Sequence, residues 1–199
     1  MAKTILASAS PRRRDLLREA GVDFDIVPAD VDETIDWNLT AFQAAEDLAL
    51  RKARAVAERL GPERGAVIGS DTLVVLGDDC SPDRRYLEKA ANEAEAREML
   101  ASLSETRHRV ITGVAVVPPQ GAALKGHGVT YVTMGPISPD DLDAYVASGE
   151  WKGKAGAYAI QETADRFVEQ LEGGFDNVVG LPVGLTLDLL RRASGETAT

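Results

Sequence analysis

From Ala66 to Leu76 the chain reads AVIGSDTLVVL. Outside its middle, this run has the apolar, β-branched character of a strand buried on both faces. Such a strand belongs at the centre of a sheet and needs a layer on each side. The rest of the sequence alternates strand-like runs with helices that carry apolar stripes, which predicts an α/β fold with one mixed central sheet flanked by helices. Gly69-Ser70-Asp71-Thr72 interrupts the run, so a break in the strand is expected there. An isolated carboxylate buried at that point is costly. Asp71 therefore needs a metal, a cation or hydrogen bonds. It either binds Mg²⁺ or activates a water as general base, or it caps a strand end or a bulge.

The other elements follow from local signals. Lys3 to Ser8 reads as a strand, and Ser10 with Pro11 opens a helix that Gly21 stops. Phe24 to Val27 reads as a second strand, and Asp30 to Thr34 as an acidic loop. Ala41 to Leu60 is a long helix ending at Gly61-Pro62. Asp78 to Arg85 is a turn-rich, mobile hairpin tip or loop. Helices are expected over Glu93 to Leu103, Pro139 to Ser148 and Pro182 to Arg192. Strands are expected over Arg107 to Val117 and Gly128 to Met134, and extended chain over Ala155 to Gln161 and Arg166 to Leu171. The chain of 199 residues suits one domain, or two closely packed lobes, with Ala193 to Thr199 a frayed polar tail.

The first helix poses an electrostatic problem. Arg12, Arg13 and Arg14 stand at its N-terminus, where the dipole is already positive. The whole chain has 22 basic and 32 acidic residues, a formal charge of -10. That balance argues against a general nucleic-acid or membrane surface, so an anion would need a local basic pocket. Ser8, Ser10, Arg12 and Arg13 around free backbone N–H groups could hold a polyphosphate. The alternative is three solvated arginines on a helix face.

Lys52 poses a second problem. It shares a stripe with Ala45, Leu48, Ala49, Ala53, Val56 and Leu60, which puts a cation on the apolar side of the long helix. It is either a lysine snorkelling at the stripe's edge or one aimed at a phosphate or a carboxylate. The loop residues Asp32 and Glu33 are candidates for a second carboxylate, or simply a solvated turn.

Other signals carry less. Gly149 to Ala155 has the feel of a P-loop, but its spacing is one residue short and Ala155 replaces Ser/Thr. His108 and His127 lie far apart without cysteine partners, against a zinc site. The single cysteine, Cys80, excludes an internal disulfide framework and reads as incidental. Trp37 and Trp151 are stacking platforms for a base or packing anchors. The first twenty residues hold no signal-peptide core and no run approaches a membrane span, so a cytoplasmic setting is expected.

Taken in order, these segments resemble the Maf family, the Maf/septum-formation-like nucleoside triphosphate pyrophosphatases. The resemblance runs through Leu6-Ala7-Ser8-Ala9-Ser10-Pro11-Arg12-Arg13, Asp32-Glu33, Arg51-Lys52-Ala53 and Gly69-Ser70-Asp71-Thr72. It continues through His108 to Val114, Lys154 to Gln161 and Asn177 to Pro182. It implies an elongated Maf/ITPase-like fold of two lobes with a cleft between them. It also implies hydrolysis of a nucleoside triphosphate to the monophosphate and pyrophosphate with Mg²⁺ or Mn²⁺. By resemblance Asp71 is catalytic, Glu33, Lys52 and Lys89 are further site residues, and Asp71 with Glu33 holds the metal. Ser8, Ser10, Arg12 and Arg13 would cradle the phosphates. Arg12, Thr72 and Gln161 resemble the specificity positions of the subgroup acting on dTTP and UTP; a glutamine amide offers a donor and an acceptor to the O4/N3–H edge of thymine or uracil. The rival readings are another base, such as 7-methyl-GTP, and a nucleotide-binding cell-division regulator with little catalysis. A homodimer is implied, with neither nucleic acid nor membrane as partner. The chain departs from the family pattern at Ala90, which follows Leu87-Glu88-Lys89, and at Trp151 and Gly153.

Overall fold

The computed structural model describes residues 2–79, 81 and 83–195. Cys80 and the last four residues of the expected tail lie outside the described residues. In chain order the strands are β1 (Thr4–Leu6), β2 (Phe24–Ile26), β3 (Val67–Leu76), β4 (Arg85–Leu87), β5 (Arg107–Val117), β6 (Leu124–Met134) and β7 (Val168–Glu172). The helices are α1 (Pro11–Glu19), α2 (Ala41–Leu60), α3 (Glu93–Leu103), α4 (Pro139–Ser148), α5 (Phe175–Val179) and α6 (Val183–Ala193). The strands form one sheet in the order β2-β1-β3-β5-β6-β7, with β4 paired to β3. It is mixed: β2, β1 and β3 run parallel, whereas β4 on β3 and β7 on β6 are antiparallel. The expected class, a mixed sheet with flanking helices, is what the chain adopts. Among the described residues no helix is long and apolar enough to cross a membrane.

The chain falls into two compact units. The first comprises Met1–Asp71, Thr112–Gly128 and Gly180–Thr199; the second comprises Thr72–Ile111 and Val129–Val179.

In the first unit two apolar clusters form. Ile5, Val67 and Ala115 pack with Ala49, Ala53 and Val56 of α2. Leu6, Ile68 and Val114 pack with Leu17 of α1 and with Leu181 and Leu189. Neighbouring residues of one strand alternate between the clusters, as the pleat requires. Thr40 caps α2 in a reciprocal arrangement with Gln43.

Two glycines let α2 approach the sheet closely. A Cβ built on Gly69 would lie 2.1 Å from the Ala49 carbonyl oxygen, and one on Gly113 would lie 2.1 Å from that of Ala45. This corrects the expected break at Gly69-Thr72. The strand β3 runs unbroken, and its glycine serves a helix contact rather than a turn.

The second unit packs α3 against α4, with Tyr145 of α4 buried edge-on to Phe167 at 5.9 Å. Here the expected extended chain over Ala155–Gln161 is corrected. The segment is a series of turns, because Gly156 and Ala157 both take positive φ, 69° and 58°. A turn of 3-10 helix, Thr163–Phe167, precedes β7 where extended chain was expected to begin at Arg166. The short strand β4 and the short helix α5 had no strong sequence signal.

Candidate active site

The first unit assembles most of the residues singled out in the sequence. Ser10 caps α1 by accepting from the Arg13 backbone N–H at 3.5 Å, and Pro11 takes the first helical turn. No acidic residue stands in that turn to answer the dipole. Ser8 is the hub beneath it: its Oγ accepts from the Ser10 N–H at 3.2 Å and from Arg13 Nη1 at 3.3 Å. Arg13 Nε donates to the Gly180 carbonyl at 2.8 Å, and that carbonyl also accepts from Ser70 Oγ at 3.0 Å. Gly180 has φ of 121°, a backbone that favours glycine, and this aims its carbonyl at both donors. Burial lowers the Arg13 pKa, and the neighbouring Arg12 adds to that; Asp71 and Glu33 pull the other way. The Arg13 cation therefore lies within electrostatic reach of both carboxylates.

Lys52 is buried, not snorkelling. Its ammonium pairs with Asp71 Oδ1 and lies 2.7 Å from Glu33 Oε1. Asp71 is buried in an unbroken strand, so the reading of Asp71 as a cap at a strand end or bulge is corrected; it is a buried carboxylate answered by a cation. Glu33 is half-exposed, on a loop with no regular structure of its own. What fixes that loop is Arg51. Its Nη1 donates to the Asp32 carbonyl at 2.6 Å and its Nη2 to the Thr34 carbonyl at 2.9 Å, which brackets Glu33. Asp47, one turn earlier on α2, pairs with Arg51 Nε at 2.9 Å. Asp32 turns inward on its own loop and accepts from the Thr34 N–H and hydroxyl at 2.9 and 2.6 Å, and these hydrogen bonds lower its pKa. Within the pair Asp32-Glu33, it is Glu33 that meets Lys52, while Asp32 is engaged by Thr34.

Thus Ser8, Ser10, Arg13, Glu33, Lys52 and Asp71 come together, with Arg12 half-buried in the same helical turn. Thr72 follows Asp71 on β3 and is counted with the second unit, as are Lys89 and Gln161. There Lys89 is exposed and its backbone bridges to Ala155, while Gln161 is exposed beyond the turns that follow. Trp151 is a packing anchor, buried with its Nε1–H donated to the Val146 carbonyl at 3.0 Å; Trp37 is exposed. Gly149 ends α4 in the left-handed conformation, so the P-loop-like stretch is a helix stop. Sequence reasoning missed Arg51 and the Gly180 carbonyl. A signal existed for each: Arg51 precedes Lys52 in a motif, and Gly180 is the glycine of Asn177-Val178-Val179-Gly180.

Two carboxylates are the usual protein share of a Mg²⁺ site completed by substrate phosphates. Asp71 and Glu33 have that chemistry, with the Lys52 ammonium now bridging them. Among the described residues no three acidic, histidine or cysteine side chains gather as a closed metal cage.

The family model for Maf-like proteins matches residues 3–193. A dTTP/UTP pyrophosphatase of Desulforamulus reducens is 43% identical over 192 residues, 96% of each chain. One from Pelotomaculum thermopropionicum is 45% identical, covering 96% of this chain and 97% of its own. Among solved structures, a HAM1 protein from Coxiella burnetii is similar at a TM-score of 0.48 and 20% identity, covering 99% of this chain and 100% of that one.

Proposed function

This chain belongs to the Maf family, and on that premise we propose that it is a nucleoside triphosphate pyrophosphatase acting on dTTP and UTP. The observation that carries the reading is the buried Lys52 ammonium shared by Asp71 and Glu33, in the same unit as an α1 N-terminus that bears arginines and no acid. A cation between carboxylates is poised to re-pair. It can hold the pair closed in the free protein and turn to phosphate oxygens when substrate brings a counter-charge.

In the reaction so assigned, Ser8, Ser10, Arg12 and Arg13 bind the phosphates at the α1 N-terminus. Asp71 accepts a proton from a water that attacks the α-phosphorus, and Glu33 helps to orient it. The bond from that phosphorus to the bridging oxygen breaks and pyrophosphate leaves. Lys52, Lys89 and Arg13 stabilise the charge that spreads onto the oxygens. A divalent cation, Mg²⁺ or Mn²⁺, held by Asp71 and Glu33 with phosphate oxygens, would supply Lewis-acid neutralisation of that charge. Thr72 and Gln161 read the base, the Gln161 amide pairing with the O4/N3–H edge of uracil or thymine. The reading extends to a homodimer in the cytoplasm, as the family resemblance and the cysteine-poor composition support.

The test is pyrophosphate release with Mg²⁺ or Mn²⁺ across dTTP, UTP, CTP, dATP, GTP and 7-methyl-GTP. Selective release from dTTP and UTP is expected. Release from another base keeps the chemistry and removes the base assignment. Tight binding without release turns the protein into a nucleotide-responsive regulator.

A further inference from the structure

The second unit buries a polar pair that this chemistry does not use. His108 Nε2 on β5 lies 2.8 Å from Tyr158 Oη, and the two rings meet edge to face at 85°. Both side chains are buried. Burial lowers the His108 pKa to about 4 and raises that of the Tyr158 phenol above its ordinary value. At neutral pH an uncharged imidazole therefore meets an uncharged phenol.

Tyr158 sits in the turn segment 154–161, which the unit fastens at several points. The Gly156 N–H donates to the carbonyls of Leu87 at 2.8 Å and Glu88 at 3.1 Å. The Ala159 N–H donates to Tyr145 Oη at 3.3 Å. Lys154 pairs with Glu162 just past the end of the segment. Between these ties Ala157 is held at φ of 58°, a left-handed conformation that residues other than glycine keep only where their surroundings impose it. The next residue is Tyr158, and Gln161 stands exposed three positions later.

We propose that the hydrogen bond between His108 and Tyr158 is a positioning device: it holds the 154–161 backbone in the strained turn that presents Gln161, and so sets how sharply the protein discriminates among bases. The inference rests on the reading of Gln161 as the base-recognising residue. An amide that must match a donor and an acceptor on one base edge depends on its angle, and a hydrogen bond fixes that angle where apolar packing would let it drift. Phenylalanine at position 158 would fill the same volume, leave the His108 ring nitrogen without its partner and release the turn.

The experiment compares the wild type with Tyr158→Phe, His108→Leu and the double variant. For each, kcat and KM are measured on UTP and CTP, beside thermal unfolding. The expected result is a fall of about tenfold in the UTP-to-CTP ratio of kcat/KM in Tyr158→Phe, less than the hundredfold that a misplacement of about 1 Å can cost. That fall comes from a raised KM for UTP, and the double variant is no worse than the poorer single one, because both remove the same bond. If the variants lower Tm but lose activity on UTP and CTP alike, the pair merely supports packing and the proposal is overturned. Should His108→Leu fail to fold, the ratio in Tyr158→Phe decides alone. A selective wild type whose ratio survives in Tyr158→Phe overturns this inference only; a wild type that releases pyrophosphate with no preference for UTP over CTP removes the Gln161 reading and this inference with it.

Discussion

In the first unit Lys52 meets Asp71 and Glu33 as an ion-paired trio, whereas in the second His108 meets Tyr158 with neither ring charged. Lys52, Asp71, His108 and Tyr158 are all buried, and each contact between them answers a polar atom that would otherwise be costly. They differ in what they can answer. A buried ion pair costs desolvation that its own attraction only partly offsets, so it is worth most where an incoming charge can exchange partners with it. A neutral pair offers nothing to a charged ligand and nothing to a proton near neutrality. Its yield is geometry. The charged trio is thus the arrangement that responds, and the neutral pair the one that holds still.

The contrast can be tested from its strongest consequence downward. Asp71→Asn keeps the shape and removes the charge; pyrophosphate release should fall by at least about a hundredfold, the order seen when one charge-stabilising group is lost, with circular dichroism unchanged. Retention of near-normal rates would mean that the trio is structural. Lys52→Met removes the cation paired with Asp71 and leaves that carboxylate buried without its ion pair, so urea unfolding should report a loss of about 3 kcal/mol. Glu33, being half-exposed, can turn to water and limits the loss.

The neutral pair makes a demand on pH. The unfolded chain protonates His108 near its ordinary pKa of about 6.5, the folded one only at about 4. Between those values the unfolded state binds more protons. Stability is therefore full above about pH 6.5 and declines as the pH falls toward 4, by about 3 kcal/mol in total. Melting curves from pH 7 to 4 should show that decline in the wild type and a shallower one in His108→Leu. Equal slopes would place the titration elsewhere. The smallest effect belongs to the scaffold of the trio. Gly69→Ala pushes a methyl group into the backbone of α2 and should cost about 2 kcal/mol in thermal unfolding.

Much of this was legible in the sequence where periodicity or chemical incongruity spoke. The bounds of α2, α3, α4 and β5 follow the apolar patterns residue for residue. Asp71 in an apolar run and Lys52 on an apolar stripe announced themselves because each is a charge in the wrong place, and the two proved to answer one another. What stayed hidden was carried by backbone. The carbonyls of Asp32 and Thr34 that fasten Arg51 have no residue-type signature. The turns of 154–161 depend on Ala157, a residue that gives no warning of positive φ. Gly69 looked like a breaker because a helix pressed against a strand leaves no trace in the strand's own sequence.

That contact has a consequence for how the protein can change over generations. Core side chains drift in volume, and a helix resting on such side chains shifts with each replacement. Along Gly69 and Gly113, α2 rests on main-chain atoms, which no substitution elsewhere can resize. Lys52, one turn beyond Ala49 on that helix, inherits a height above the sheet that is insulated from the drift of its neighbours. The interior around it can be rewritten piece by piece while the distance from ammonium to carboxylate is handed down unaltered.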